Sequence, residues 1–410
     1  MNTLGWAAYL GMSWTWCIGM FLPVLLIRDY GIWGFVVFAV PNVVGAAAMG
    51  WVLRDGASER IVERHRTMLR AFSIVTMAFQ IKFATWLIAL APVDWRIAFV
   101  PIVMVCAIWF YRIPRSAVRP LTWAVLGVSA FTLIAVIIQG PPQSLFAQIA
   151  GKMGVTPPTV PVAPPNPRDL LWLAPVCFFG FLLCPYLDLT FHRARRSLNQ
   201  RFSQRAFGIG FGVFFSAMIV LTLLYAPAFD LNGMLTAWGT TIAAQMLVVH
   251  IVLQLAFTCG VHNHELEEPE VETTWSGYPD LPWWELLLFA ALALLSGRWL
   301  WSKIMPPSFF SSLPLPFHEL AYRCFMSFYG LVFPAYVWLC MIPTRDGHSG
   351  IEGPRGRWKL IVLTIAVLLA APCFWMGFIE RQEIWLAPGL GAVLIARIFV
   401  RGPRTLSVPA

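Results

Sequence analysis

Charged side chains are scarce in this 410-residue sequence, because Asp, Glu, Lys and Arg together make up only 12% of it. Soluble domains average about 25% charged residues, since their surfaces face water. A water-soluble fold is therefore excluded, and the 59% of hydrophobic residues excludes an intrinsically disordered chain. A helix needs roughly 20 residues to cross a bilayer. The composition predicts an all-α polytopic membrane protein with ten to twelve spans.

The sequence also lacks the motifs that mark many enzymes and metal sites. None of its eight cysteines forms a CxxC pair, and all eight lie in apolar runs, which indicates packing residues rather than a disulfide framework or a zinc site. GxSxG, P-loop, HExxH and CxxCH motifs are absent. We therefore expect no enzymatic activity, no catalytic residues, no cofactor and no bound metal.

Continuous apolar runs, separated by charged or Pro/Gly-rich breaks, predict twelve membrane spans. Each must be helical, because backbone amides that face lipid have no water to bond. We place the spans at residues 6–27, 31–53, 68–90, 97–112, 120–139, 170–190, 206–227, 236–260, 283–301, 316–341, 358–378 and 384–401.

The basic residues are distributed unevenly between the two sides of these spans. Of the 29 Lys and Arg residues, 20 lie in the loops after spans 2, 4, 6 and 10 or at the C-terminal end, and 7 lie on the other side. Because cytoplasmic loops carry an excess of Lys and Arg, both termini are predicted to be cytoplasmic, in a plasma or inner membrane. The net charge of +9 then reflects this bias. The expected partners are the lipid bilayer and small molecules, not nucleic acid.

A proline-rich segment divides the predicted membrane domain. Residues 140–169 are expected to form an extended extracytoplasmic linker. Five spans precede it in residues 1–139, five follow it in residues 170–341, and residues 342–410 add two more. Because five is an odd number, the second set starts from the opposite side of the membrane. This arrangement is typical of an inverted repeat.

The first span of each set contains helix-breaking residues near its middle. These are Gly11, Gly19 and Pro23 in span 1, and Pro175, Gly180 and Pro185 in span 6. Matched interruptions predict a transporter site between half-helices, although Gly and Pro are also common in ordinary membrane helices. The candidate substrate-binding residues at these breaks are Trp14, Trp16, Cys17, Gly19, Phe178, Phe179, Gly180 and Phe181; simple packing is the alternative for the aromatic ones.

This arrangement resembles the amino acid–polyamine–organocation superfamily, which has the leucine-transporter-like fold. The shared features are five plus five spans, interrupted spans 1 and 6, and two further C-terminal spans. The run WGFVVFAVPNVVGAAAMGWVL in span 2 is also similar to the second core helix of sodium/solute symporters. The resemblance covers most of the chain. It implies a secondary active transporter that moves a small organic solute, such as an amino acid, by alternating access.

Two ionisable side chains lie nearest the centres of predicted spans. A charge at mid-membrane costs at least about 2.5 kcal/mol, so each is a functional candidate. Lys82 is predicted to face a cavity, where it binds substrate or carries a coupling proton; snorkelling to an interface is the alternative. His250 stands in span 8, where the resemblance implies Ser or Thr ligands for sodium. We therefore predict proton coupling or uncoupled exchange rather than sodium coupling, with a neutral histidine bonded within the bundle as the alternative for His250.

Four further polar residues are candidates for binding or gating. Asn42 is predicted to bind substrate or to make an interhelical hydrogen bond. Asp188 is predicted to pair with an arginine as a cytoplasmic gate, or to act as a salt bridge or cap. Glu319 and Arg323 are four residues apart on one helical face, which predicts an extracellular gate or a structural ion pair.

Three alternatives to transport stay open. The chain is then a non-transporting membrane subunit of a larger complex, a membrane-embedded enzyme, or a degenerate transporter fold that serves as a sensor. The enzyme hypothesis depends on the cytoplasmic segment HNHELEE at residues 262–268, where His262, His264 and neighbouring carboxylates could hold a metal.

Overall fold

The computed structural model describes residues 2–15, 17–90, 114–139, 167–225, 242–266, 283–343, 351 and 353–400. These residues form helices and contain no strand, which confirms the predicted all-α class. Seven continuous helical segments of the described residues, some of which join two or more of the helices below, are long and apolar enough to cross a membrane, and a bent pair of helices makes an eighth span. The chain is an integral membrane protein.

The helices follow the predicted order of spans. They are α1 (Thr3–Trp14), α2 (Cys17–Tyr30), α3 (Ile32–Val52), α4 (Ala57–Leu90), α5 (Val118–Gln139), α6 (Leu170–Leu183), α7 (Leu189–Arg196), α8 (Gln200–Ile209), α9 (Ser216–Tyr225), α10 (Ile242–Leu266), α11 (Trp283–Ser296), α12 (Arg298–Ile304), α13 (Pro307–Ser311), α14 (Phe317–Ser327), α15 (Phe333–Tyr336), α16 (Gly353–Phe374) and α17 (Leu386–Val400). Eleven of the twelve predicted spans coincide with described helices, and span 4 at residues 97–112 lies outside the described residues.

Short segments of other helical type continue several of these spans. Cys184–Leu187 and Glu383–Trp385 are 3-10 helical. Four π-helical segments follow α8, α14, α15 and α16, and they are Gly210–Phe215, Phe328–Val332, Val337–Met341 and Trp375–Ile379.

Two segments that the sequence suggests as loops contain helix. Helix α4 begins at Ala57 and is kinked at His65, so most of the predicted loop before residue 68 is helical, while the predicted start of span 3 lies close to the kink. Helix α10 continues to Leu266, so His262 and His264 belong to a helix rather than to a loop. His262 lies buried, with its Nδ1 atom 3.1 Å from the hydroxyl of Ser73.

The two ends of α3 lie beside two clusters of charge that define the ends of the bundle. Near its first residue, Arg28 and Asp29 contact charged residues of α14, and we call this the Asp29 end. Near its last residue, Arg195 binds the carbonyl oxygen of Leu53, and we call this the Arg195 end. Because α3 has 21 residues at about 1.5 Å each, it extends across the hydrocarbon core of a bilayer.

The two spans with predicted interruptions cross the bundle in opposite directions. The first runs through α1 and α2 towards the Asp29 end, where Asp29 and Tyr30 close α2. The second begins near that end, since Asp169 interacts electrostatically with Glu383, which is bonded to Tyr30. It finishes at Arg195 and Arg196 in α7. Antiparallel first spans are what the predicted inverted repeat requires.

Helices α3 and α6 approach closely at Gly45. A Cβ atom at Gly45 would lie 2.2 Å from the carbonyl oxygen of Phe181 and 2.8 Å from the Cα atom of Leu182. Those atoms belong to the backbone and cannot rotate away. Small residues allow such contacts between membrane helices, which associate through van der Waals packing.

We expect the change Gly45→Ala to force α3 and α6 apart and to lower the free energy of unfolding by about 1–3 kcal/mol. Gly391→Ala is the matched control, because a Cβ atom at Gly391 meets nothing within 4 Å. Thermal unfolding of both variants in detergent measures the difference. Equal unfolding temperatures for the two variants would contradict this account of the contact.

Candidate functional site

The first span is broken between α1 and α2, whose axes differ by 54°. The break lies at Thr15, between the two predicted glycines, whereas Pro23 lies inside α2 without ending it. The hydroxyl of Thr15 donates a hydrogen bond to the carbonyl oxygen of Gly11 at 2.7 Å. Such local bonds compete with helical ones. A threonine therefore takes part in the break, and the predicted proline does not.

Side chains from three other helices bond the backbone groups at this break. The Cys17 N–H donates to Gln80 Oε1 of α4 at 2.7 Å, and the Cys17 carbonyl oxygen accepts from the Tyr322 hydroxyl of α14 at 2.9 Å. The Gln254 side-chain amide of α10 donates to the Met12 carbonyl oxygen at 2.7 Å. A polar backbone group without a partner costs several kcal/mol inside a membrane, so these three hydrogen bonds stabilise the interrupted helix.

The second span is broken between α6 and α7. Helix α6 ends at Leu183, a 3-10 turn that contains Pro185 follows, and Asp188 caps α7. Asp188 Oδ1 accepts hydrogen bonds from the backbone N–H and the hydroxyl of Thr190, at 2.8 and 2.7 Å. Pro175 lies within α6 and does not interrupt it. The predicted interruption of this span is thus present at Pro185.

Asp188 does not form the arginine pair that the sequence suggests. Arg193 of α7 pairs instead with Glu265 of α10 at 2.7 Å. Asp188 is completely buried, and its Oδ2 atom has no hydrogen-bond partner in the part of the chain that the structure describes. The contacts of Asp188 are those of a helix cap, which is the alternative role that the sequence suggests for it.

The two breaks contact each other through aromatic rings. The ring of Trp14, the last residue of α1, has its centre 5.0 Å from that of Phe191 in α7. The indole N–H of Trp14 donates to Asn42 Oδ1 of α3 at 2.6 Å. The structure therefore brings together Trp14, Asn42, Cys17 and Asp188 of the predicted site residues. Trp16 lies outside the described residues.

The remaining aromatic candidates point in different directions. Phe181 is buried, with its ring centre 5.2 Å from that of Phe38. Phe179 packs against Trp338, and Phe178 is 42% exposed on the outside of the bundle. Both candidate glycines pack closely, Gly19 beside the Phe215 ring and Gly180 beside the carbonyl oxygen of Tyr329. The structure thus does not bring Phe178 to the break.

Neither of the two predicted mid-membrane charges lies at a break. The ammonium group of Lys82 is 3.2 Å from His318 Nδ1 and 5.5 Å from the ring centre of Phe317, at the start of α14. His250 faces α5, where its Nδ1 atom is 2.9 Å from Ser129 Oγ. Gln254, one turn after His250, is the residue of α10 that reaches the break.

Sequence reasoning missed three polar residues that hold the first break: Gln80, Gln254 and Tyr322. Both glutamines are completely buried. A signal was present, because uncharged polar side chains in a membrane helix need partners. Which backbone group each side chain meets depends on the packing of three helices and is not encoded by spacing along the chain.

An ion-pair cluster joins α2 to α14 at the Asp29 end. The guanidinium of Arg28 binds both carboxylate oxygens of Glu319, at 2.6 and 3.0 Å. The expected pair between Glu319 and Arg323 is present at 2.9 Å, and Arg323 also binds Asp29. Arg381, which precedes α17, approaches Asp29 at 3.5 Å. Removing one member of such a buried cluster leaves an uncompensated charge.

A small apolar cavity lies beside the second break. It has a volume of about 40 Å³ and is lined by residues of α2, α6 and the segments around Tyr329, among them Leu22, Cys177 and Gly180. A cavity of this size has room for about one or two water molecules.

One solved structure has the same overall fold. It is the substrate-bound, outward-open state of a Na+-coupled sialic acid symporter, with 14% sequence identity and a TM-score of 0.51. The match covers 97% of this chain and 89% of that chain. No family model and no curated protein matches the sequence. The likeness shows that this chain shares the fold of a polytopic transporter.

The hydrogen bond from Gln254 to Met12 can be tested by removing the amide. We expect Gln254→Leu to lower the free energy of unfolding by about 1–3 kcal/mol, because the break then has a backbone acceptor without its donor. Gln382→Leu, at an exposed glutamine, is the control and is expected to unfold at the wild-type temperature. Thermal unfolding in detergent is the measurement, and equal stability of both variants would refute the assigned role.

Proposed function

We propose that this protein is a secondary active transporter that moves a small organic solute by alternating access. The observation that carries the proposal is the meeting of two breaks in antiparallel spans, at Trp14 and Phe191. Broken helices place half-helix ends at the membrane midplane, where they can face a ligand. Such irregular backbone is tolerated in a bilayer only where it is buried in protein or lines a cavity.

The fold supports a place in or near the superfamily with the leucine-transporter-like fold. In this proposal the solute binds between α1–α2 and α6–α7, beside Trp14, Cys17 and Asn42 at the first break, with Gly180 in the helix that precedes the second break. The related fold belongs to a symporter, so coupling to a cation is part of the proposal. Sialic acid and amino acids are the first solutes to test.

The ion pairs at the two ends fit the roles of gates. In this proposal the Asp29 end faces outward, both termini are cytoplasmic, and opening to the outside separates Arg28 from Glu319. Opening to the inside separates Arg193 from Glu265. Each pair joins a half of a broken span to a neighbouring helix, so breaking it frees one half-helix. Arg323 reinforces the outer gate through Asp29 and Glu319.

A binding screen followed by an uptake assay tests the proposed function. Purified protein is heated with sialic acid, amino acids and other small organic solutes, and a bound solute raises the unfolding temperature. Binding stabilises the native state by about 2.7 kcal/mol at a ligand concentration of 100 times the Kd. Solutes that stabilise the protein are then expected to accumulate in proteoliposomes against their gradient. If no solute raises the unfolding temperature and none accumulates in the proteoliposomes, the protein is better described as a non-transporting subunit.

The outer gate is tested by the reactivity of Cys17, a completely buried residue whose carbonyl oxygen bonds Tyr322 of the gating helix. We expect Glu319→Gln to weaken the pair with Arg28 and to speed labelling of Cys17 by a membrane-impermeant maleimide, measured by peptide mass spectrometry. Glu380→Gln is the control, because Glu380 bonds only the exposed Trp375 among its described contacts. Unchanged labelling of Cys17 in Glu319→Gln would remove Glu319 from the gate.

A further inference from the structure

We propose that Asp188 binds the proton that drives transport, an inference that rests on the proposed transport function. Asp188 lies at the second break, 0% exposed, with one carboxyl oxygen capping α7 and the other, Oδ2, without a partner among the described residues. An isolated ionised carboxylate is very costly in an apolar interior, and such groups become neutral instead. A bound proton removes that cost.

Among the residues that the structure describes, the ionisable groups around α7 do not supply a counter-ion for Asp188. Facing α7 are Tyr9 on α1, His65 on α4, Glu265 on α10 and Tyr329 after α14. On α7 itself, His192 bonds Ser58 and the Tyr186 carbonyl oxygen. Arg193 pairs with Glu265, Arg195 bonds Leu53 and Asp55, and Arg196 donates a hydrogen bond to the His192 carbonyl oxygen. The nearby cations are thus bonded to other groups.

A proton suits this site better than a metal cation. Metal cations of the hard type need a shell of several oxygen ligands. The capping oxygen of Asp188 already accepts two hydrogen bonds from Thr190. At the facing break, the carbonyl oxygens of Met12 and Cys17 accept hydrogen bonds from Gln254 and Tyr322. A proton needs only the Oδ2 oxygen of Asp188, which has no partner among the described residues.

Helix α7 connects this proton to both the substrate site and the inner gate. The helix has eight residues and begins directly after Asp188. Its Phe191 contacts Trp14 at the other break. Its Arg193 pairs with Glu265 at the proposed inner gate. An ionised cap interacts more strongly with the positive end of a helix than a neutral one does. Gain or loss of the proton therefore changes the hold of Asp188 on α7, and with it the inner gate.

Infrared difference spectroscopy of the reconstituted full chain at stepped pH tests the proton site without any solute. We expect a carbonyl stretching band of a protonated, buried carboxylic acid that is present in the wild type and absent from Asp188→Asn. Asparagine caps a helix as well as aspartate does, so this variant is expected to fold. Asp169→Asn, which makes the same change before α6, is expected to keep the band. A band that persists in Asp188→Asn, or is missing from the wild type, would overturn the proposal.

Uptake into proteoliposomes tests the coupling itself, with radiolabelled sialic acid and amino acids as probes. We expect an inward proton gradient to drive accumulation by the wild type and by Asp169→Asn, whereas Asp188→Asn only exchanges solute at equal concentrations. Accumulation driven by a sodium gradient alone, or proton-driven accumulation by Asp188→Asn, would refute Asp188 as the coupling site. If no probe enters wild-type vesicles, the transport function fails, and the infrared result still decides whether Asp188 holds a proton.

Discussion

The requirement that every backbone polar group in lipid finds a partner shapes the centre of this protein. An intact helix satisfies it locally, whereas the broken first span must obtain its partners from Gln80, Gln254 and Tyr322 on three different helices. These side chains position α4, α10 and α14 around the break. The interruption is therefore the point from which the arrangement of neighbouring spans is organised.

Ion pairs join both broken spans to neighbouring helices at the two ends of the bundle. At the Asp29 end, Arg28 and Arg323 share Asp29 and Glu319, which joins α2 to α14. At the Arg195 end, Arg193 pairs with Glu265 of α10. Buried pairs of this kind cost desolvation energy and contribute uncertain net stability, so their retention fits a switching role better than a purely stabilising one.

The short helix α7 differs from the long helices around it. Asp188 begins it, Phe191 contacts the other break, and Arg193 reaches the Arg195 end. Because the helix has only eight residues, or about two turns, these three positions lie within about 12 Å of one another along its axis. The proposed proton site, substrate contact and inner gate therefore lie on one short helix.

The sequence by itself determined the membrane class, most spans and the existence of two broken helices, because apolar runs, Gly and Pro act locally. It also named Trp14, Asn42 and Asp188, which lie at the breaks, and the pair of Glu319 and Arg323; their roles in binding or gating stay predictions. It did not place the break at Thr15, and it favoured Lys82 and His250 over Gln80 and Gln254. Only the tertiary structure decided those points. Depth along a span can be read from the chain, whereas the direction in which a side chain points depends on how the helices pack.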